Sequence, residues 1–515
     1  MRTHSYILIC IFSFSTYLWG QSYDTNWKGY FSFLNIKKVV QAENKFYAAS
    51  ENALFSYDNQ NNQLNTITTV NGLSGELIST LHYSYEYQLL LIGYENGLIE
   101  VYSESDQEIL KVVDIINKVT IPPSQKKINH FNEFNSLIYI ATDYGISVYN
   151  LEGLEFGDTY YIGSNGSQIP VTQTAIFNNE IYASCRSNNG IKKANLSNSN
   201  LTDFQLWSSI TTGNFESVIV SASSIYAVNS SNTIFEINGI TLNTLFNFSQ
   251  PVVEINTSET TLLVTTNSKV YQYVSGFNLV NTYSLPTELN TLFTCALIIG
   301  TDVYIGTKNH GILKPDSLAV FGYEEIHPDG PLKNTPFSLT YEYGNLWVTF
   351  GEYSIFFNPS PSRNYGISNY VDMNWHNTTY DSIQQATSKT VSNLNAISVN
   401  PLNPDQVFVS SFSHGLLNFQ KDESITLLDE SNSSLESLVL PGSPNYKSIR
   451  ISGSTFDSDG NLWVLNSKVD NALKKFNPSS SSWISYDFSN IISDPINEEL
   501  GFSEVVTGSG QTKWI

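Results

Sequence analysis

Apolar positions in this chain fall in short runs broken by turns of Asn, Asp, Ser and Gly, and helix-period stripes of useful length are absent. Short apolar runs bounded by turn residues predict strands. The runs also come in a recurring phrase: an apolar strand, a short turn often ending in Gly, and a second apolar strand ending in an aromatic residue. Residues 44–57 (NKFYAASENALFSY) are the first copy, and 89–102 and 137–149 are the next two. Further copies join 181–184 to 189–191, 225–228 to 234–237, 262–265 to 270–273 and 303–307 to 310–313. Three more follow, at 345–349 with 355–357, 407–410 with 415–417, and 461–464 with 473–476.

The residue after the turn marks the period: Leu54, Leu98, Ile146, Ile191, Ile234, Val270, Ile312, Ile355, Leu416 and Leu473. As far as Ile312 the spacing is roughly 40–45 residues, the length of one four-stranded propeller blade. Helical repeats of similar length do not fit a phrase made of two strands around a hairpin turn. Gly97, Gly145, Gly190 and Gly311 occupy the turn, where a positive φ is expected. The first strand of the phrase is apolar on both faces, as at Val303, Tyr304 and Ile305, which suits a sheet sandwiched between two others. It ends on small residues, Ala49, Gly93, Ala141, Ala183 and Gly306, where sheets are expected to crowd together.

The expected architecture is therefore all-β, with tandem β-propellers. Residues 21–329 are expected to form a first, seven-bladed ring, and 330–515 the first blades of a second, incomplete ring with insertions around 358–395 and 420–450. Residues 27–34 are expected to close one ring by pairing with a distant blade. Residues 502–506 and 512–515 read as the opening of an eleventh phrase, so the sequence is expected to be a piece of a longer protein.

Composition agrees with this fold. Of 515 residues, 41% are hydrophobic and 13% aromatic, with 31 Tyr and 29 Phe. These residue types favour pleated, buried surfaces and support a large core rather than global disorder. Residues 1–20 stand apart. Arg2 precedes an almost wholly apolar stretch from Tyr6 to Leu18, with Gly20 at a plausible cleavage point. This is the pattern of a secretory signal peptide, and it is too short for a membrane span. Cys10 lies inside the apolar stretch, so it does not mark a lipid anchor. The protein is thus expected to be exported, with no transmembrane segment.

Charge narrows the partners. Lys and Arg number 25 against 47 Asp and Glu, a net charge of −22. Loss of Arg2 with the leader would make it −23. Such a balance disfavours nucleic acid, whose binding rests on phosphate neutralisation. Lys37-Lys38, Lys126-Lys127, Lys192-Lys193 and Lys474-Lys475 stand out against it, as anion-binding patches or as ordinary strand ends. Cys185 and Cys295 read as small buried hydrophobes.

Candidate chemistry is sparse. The run Asp457, Ser458, Asp459, Gly460, Asn461 resembles a calcium loop, but the twelfth position is Lys468 where a Glu is needed, so it reads as a turn. His310 and His414 precede turn glycines at equivalent repeat positions, and His82, His130, His327 and His376 have no metal-ligand spacing. No Gly-Xaa-Ser-Xaa-Gly elbow occurs. Trp347, Trp375, Trp463 and Trp483 gather in the second ring and read as core. No catalytic, cofactor or metal residue is assigned, and the chain reads as non-enzymatic.

The phrases at 345–349 and 460–464 and the turn at 144–149 resemble two-component-regulator propeller repeats. Residues 26–33 (NWKGYFSF), with 45–50, 54–57 and 71–75 (NGLSG), resemble the start of the PorZ family of the type IX secretion system of Bacteroidota. The resemblance implies two seven-bladed propellers followed by a C-terminal sorting domain. It also implies a cell-surface, outer-membrane location beside the sortase PorU, with PorV and PorQ. There the family presents an anionic lipopolysaccharide that PorU attaches to cargo. No motif allows ligand residues to be carried over. The alternative expectation is the periplasmic, glycan-sensing ectodomain of a hybrid two-component regulator.

Overall fold

A computed structural model describes residues 28–515, apart from 259, 421–423, 441, 444, 495–500, 502–503 and 509. The expected leader at 1–20 lies outside the described residues. The described residues fold into ten four-stranded antiparallel sheets, each built from four consecutive strands, and one two-stranded ladder. We number the sheets as blades. Blades 1–7 span 38–67, 78–112, 128–160, 171–211, 215–247, 252–284 and 293–326, and blades 8–10 span 338–378, 394–428 and 450–486. The ladder pairs Val506 with Trp514 and Thr507 with Lys513.

From blade 1 to blade 7 the first strand of each packs beside the first strand of the next, and Lys38–Ala42 of blade 1 lies beside Phe293–Ile299 of blade 7. The first seven blades therefore form a closed ring. The core shows the same closure. One apolar cluster fills each of the seven gaps between neighbouring blades. The cluster between blades 7 and 1 joins Leu297 and Tyr304 to Val39 and Phe46, with Phe33 and Ile36. Each sheet is covered on both faces, which is why the second strands are apolar without alternation. Blades 8, 9 and 10 continue this packing as an arc, through one cluster between blades 8 and 9 and another between 9 and 10.

The small residues do sit at close approaches. A Cβ on Gly93 would lie 2.8 Å from Ile128 of the next blade, and one on Gly306 would lie 2.8 Å from Ile36. The turn glycines Gly97, Gly145, Gly190 and Gly311 all have positive φ.

The N-terminal segment contacts both units. Ile36 N donates to Thr307 O (2.8 Å) and Leu34 O accepts from Gly311 N (2.9 Å), which ties it to blade 7. Ser32 N donates to Asn334 Oδ1 (2.7 Å), and Asn334 Nδ2 donates back to Ser32 O (3.1 Å). Tyr30 packs against Tyr370 and Trp375 of blade 8.

Blade 8 corrects the expected phrase. Its third strand is Ile367–Val371, not the run at 355–357, and Ile355 and Phe356 are 87% and 80% exposed in the connection. Pro359 and Pro361 follow directly, and neither can donate to a ladder. The stretch 358–395 is accordingly more than an insertion. It holds strands Ile367–Val371 and Asn374–Thr378 and helix Tyr380–Thr387. Likewise 420–450 contains strand Ile425–Leu428 ahead of its loop.

Candidate functional site

The first strands line the axis of the closed ring, and their inner edges have no neighbouring strand. Buried backbone groups need partners, and here side chains of the adjacent blade supply them. Ser79 Oγ donates to Ile128 O (2.6 Å), Asn129 Nδ2 to Val171 O (2.9 Å) and Thr172 Oγ1 to Phe215 O (3.1 Å). Asn256 Nδ2 donates to Ala296 O (2.9 Å), while Glu254 accepts from Ala296 N (3.0 Å). The arc repeats the device: Asn395 Nδ2 donates to Ser452 O (2.9 Å) and Ser398 Oγ to Ser454 O (2.8 Å).

Glu254 also pairs with Lys38, so one charge pair links blades 6, 7 and 1 across the closing seam. Burial pulls the Lys38 ammonium down, but Glu254 more than offsets this and the net direction is up. Burial, then Glu254, pushes the neighbouring Cys295 thiol up. Elsewhere on the axis Glu133 bonds His82 (2.7 Å) and Ser84 Oγ (2.7 Å). His130 bonds Gln173 at 3.4 Å through Nε2, and its buried Nδ1 has no protein partner. Burial, then Lys38 and His82, hold its pKa well below the ordinary value.

The two mouths of the channel differ. The mouth nearer the ends of the first strands, a cavity of about 610 Å³, carries Tyr83, Tyr85 and Asn256. The mouth at their starts, about 470 Å³, is lined by Lys37, Lys38, Lys127 and Arg186 against the carboxylates Glu216 and Glu254. Both carboxylates are already engaged, Glu216 by Arg186 (2.6 Å) and Glu254 by Lys38. Lys127 has one loose, exposed partner, Glu95 at 3.5 Å, and Lys37 has no side-chain partner among the described residues. Cations thus outnumber carboxylates at one opening of a strongly acidic chain. Fixed positive charge at the mouth of a low-dielectric channel concentrates anions.

The other lysines of the conspicuous pairs serve the fold. Lys126 is buried and donates to Ile116 O, Lys193 pairs with Glu180 (2.9 Å), and Lys474 is fully buried against Glu436 (2.6 Å). Lys192 donates to Ser209 Oγ (3.2 Å), and Lys475 lies over Trp463. Asp457 spends its oxygens on its own turn, accepting from Asn461 N (2.9 Å), Asp459 N (3.1 Å) and Trp463 Nε1 (2.8 Å). His310 N and His414 N both bond the hydroxyl three residues back, as turn residues do. Cys185 and Cys295 are buried and unbridged, in blades 4 and 7, and burial pushes the Cys185 thiol up to about 12. Trp375 and Trp463 are buried in core clusters.

In the sequence Lys37 and Lys127 stand out only as members of pairs, and nothing distinguishes Arg186, Glu216 or Glu254. A signal was available, because Lys37 and Lys127 each stand directly before a blade's first strand. Among the described residues no helix is long and apolar enough to cross a membrane.

Residues 46–208 match the sequence family described as the N-terminal β-propeller domain of PorZ of the type IX secretion system. Over that stretch the first ring is similar to the PorZ propeller. The solved PorZ of Porphyromonas gingivalis, an essential bacterial surface component of that organism's type IX secretion system, superposes with a TM-score of 0.79 at 17% identity. The overlap covers 95% of this chain and 63% of that one, so the chain spans under two thirds of the PorZ structure. The extracellular domain of a hybrid two-component system from B. thetaiotaomicron overlaps 95% of this chain and 64% of its own at 12% identity, with a TM-score of 0.42. No curated protein matches this sequence.

Proposed function

We propose that this chain acts at the cell surface as a non-catalytic part of the type IX secretion machinery. In this reading it holds an anionic, lipopolysaccharide-type glycolipid for the sortase PorU, alongside PorV and PorQ. The match of residues 46–208 to the PorZ propeller carries the proposal. The acidic composition argues against an anionic ligand in general, and the cation-lined mouth answers that objection locally. Lys37 and Lys127 would meet the acidic groups of the saccharide, as lysine point charges do.

The test is a strain lacking the gene, with a known type IX cargo followed by mass and location. Retention of the cargo sorting domain, or loss of its glycolipid, is expected. Complementation with Lys37→Glu and Lys127→Glu together should reproduce the defect while the protein still reaches the surface. Normal cargo in the deletion strain would sink the secretion role and leave glycan sensing as the reading to pursue. Normal cargo in the charge-reversed strain alone would move the ligand away from this mouth.

A further inference from the structure

A cleft of about 520 Å³ lies between the closed ring and the arc, and no role described so far uses it. We propose that it is a binding site for an uncharged saccharide unit, separate from the cationic mouth. Clefts of this size between domains, with a few convergent polar groups on an apolar wall, are the usual form of small-molecule sites.

The wall comes from both units. Leu34, Phe321 and Leu332 give it an apolar floor beside Tyr365 and Tyr380. Tyr365 has one face covered by the Lys333 ammonium, 4.2 Å from the ring centre. Tyr380 opens the helix Tyr380–Thr387, which blade 8 adds before blade 9 begins, and so this added helix brings Tyr380 and Asp381 to the cleft. Flat aromatic surfaces suit the apolar face of a pyranose.

The polar groups are mixed in sign. Asp381 Oδ1 accepts from Asn290 Nδ2 across the opening (3.1 Å), and Asn309 Nδ2 donates to Asn290 O (3.2 Å). That leaves the other Asp381 oxygen and the Asn309 amide oxygen as acceptors. The Asn364 amide has no protein partner among the described residues and offers both donors and an acceptor. Vicinal sugar hydroxyls both donate and accept, so a lining of amides, a carboxylate and an ammonium matches them. Glu288 and Asp381 line the cleft together with Lys333, so it has no excess of positive charge for an acidic group. A neutral saccharide fits this lining better than an anionic one.

The experiment is saturation-transfer NMR on the full chain with free glucose, galactose, mannose, rhamnose and N-acetylglucosamine, each at millimolar concentration. At least one sugar should receive magnetisation. Its signal should fall at least about fivefold in Tyr380→Ala and in Asn364→Ala, two variants on different elements. Lys37→Glu at the channel mouth should leave it unchanged, which separates this site from the proposed anion site. Asn364→Ala changes an exposed side chain, so its loss of signal cannot be laid to misfolding. No transfer to any of the five sugars overturns the proposal, and so does transfer that both cleft variants retain. Neither result bears on cargo processing in the deletion strain.

Discussion

His130 shows how one half-buried side chain makes the ring sensitive to pH. Gln173 Nε2 faces His130 Nε2, which places the proton of the neutral ring on the partnerless Nδ1. Lys38, on a neighbouring stretch of the same axis, and His82 oppose a second proton, and burial opposes it more. The folded-state pKa therefore lies below the unfolded value of about 6.5. Stability from this group is fully present above about pH 6.5. It is lost as pH falls, because the unfolded chain takes up a proton that the folded chain refuses. The slope approaches about 1.4 kcal/mol per pH unit until the folded pKa is reached. Urea denaturation of the full chain between pH 7.5 and 5 should show this decline, and His130→Gln should flatten it. An equal slope in the variant would place the pH dependence on other groups.

At the scale of the element, the turn glycines serve two purposes, of which the sequence shows one. Gly190 has φ +68°, and a Cβ there would lie 1.7 Å from Thr211 O of the outer strand. Gly145 and Gly415 meet the corresponding carbonyls of Tyr160 and Leu428 in the same way, at 2.4 and 2.3 Å. Gly239 has nearly the same φ, +63°, but nothing lies within 4 Å of its would-be Cβ. Gly239→Ala should therefore cost only the left-handed backbone penalty, about 1–2 kcal/mol. Gly190→Ala should cost more than about 3 kcal/mol, since the outer strand must move as well. Urea midpoints of the two variants test this, and similar losses would mean that the outer strand yields freely. The same contrast explains what was legible. Second and third strands stand out because both faces are buried between neighbours. Outer strands such as Asn278–Ser284 are largely exposed and carry a weak pattern. Ile355 and Phe356 mimic a third strand by composition alone, and only the missing partner strand betrays them. The channel mouth was less readable still. Lys37, Lys127 and Arg186 belong to blades 1, 3 and 4, and ring closure rather than spacing brings them to one opening.

Across the whole molecule, the segment at 28–36 decides how ring and arc are joined. Its second half belongs to the ring: Phe33 and Ile36 are buried in the seam cluster between blades 7 and 1. Its first half belongs to the arc. The Tyr30 ring centre lies 4.8 Å from that of Tyr370 and 5.5 Å from that of Trp375, and Lys28 sits over the same pair of tyrosines. Between them Ser32 and Asn334 exchange two hydrogen bonds, and a Cβ on Gly330 would lie 2.1 Å from Phe31 O. The strap therefore has two separable ends. Tyr30→Ala removes two aromatic contacts worth about 0.5–1.5 kcal/mol each beyond the area they bury. That loss falls on the arc, where about 2–3 kcal/mol should lower a melting transition by about 5–10 °C for a unit of this size. Phe33→Ala opens the closing seam and should cost the ring about 3–5 kcal/mol instead. Calorimetry of the full chain should then show the two variants depressing different transitions. A single transition that falls equally in both would mean that the strap, rather than joining two units, makes ring and arc one cooperative body.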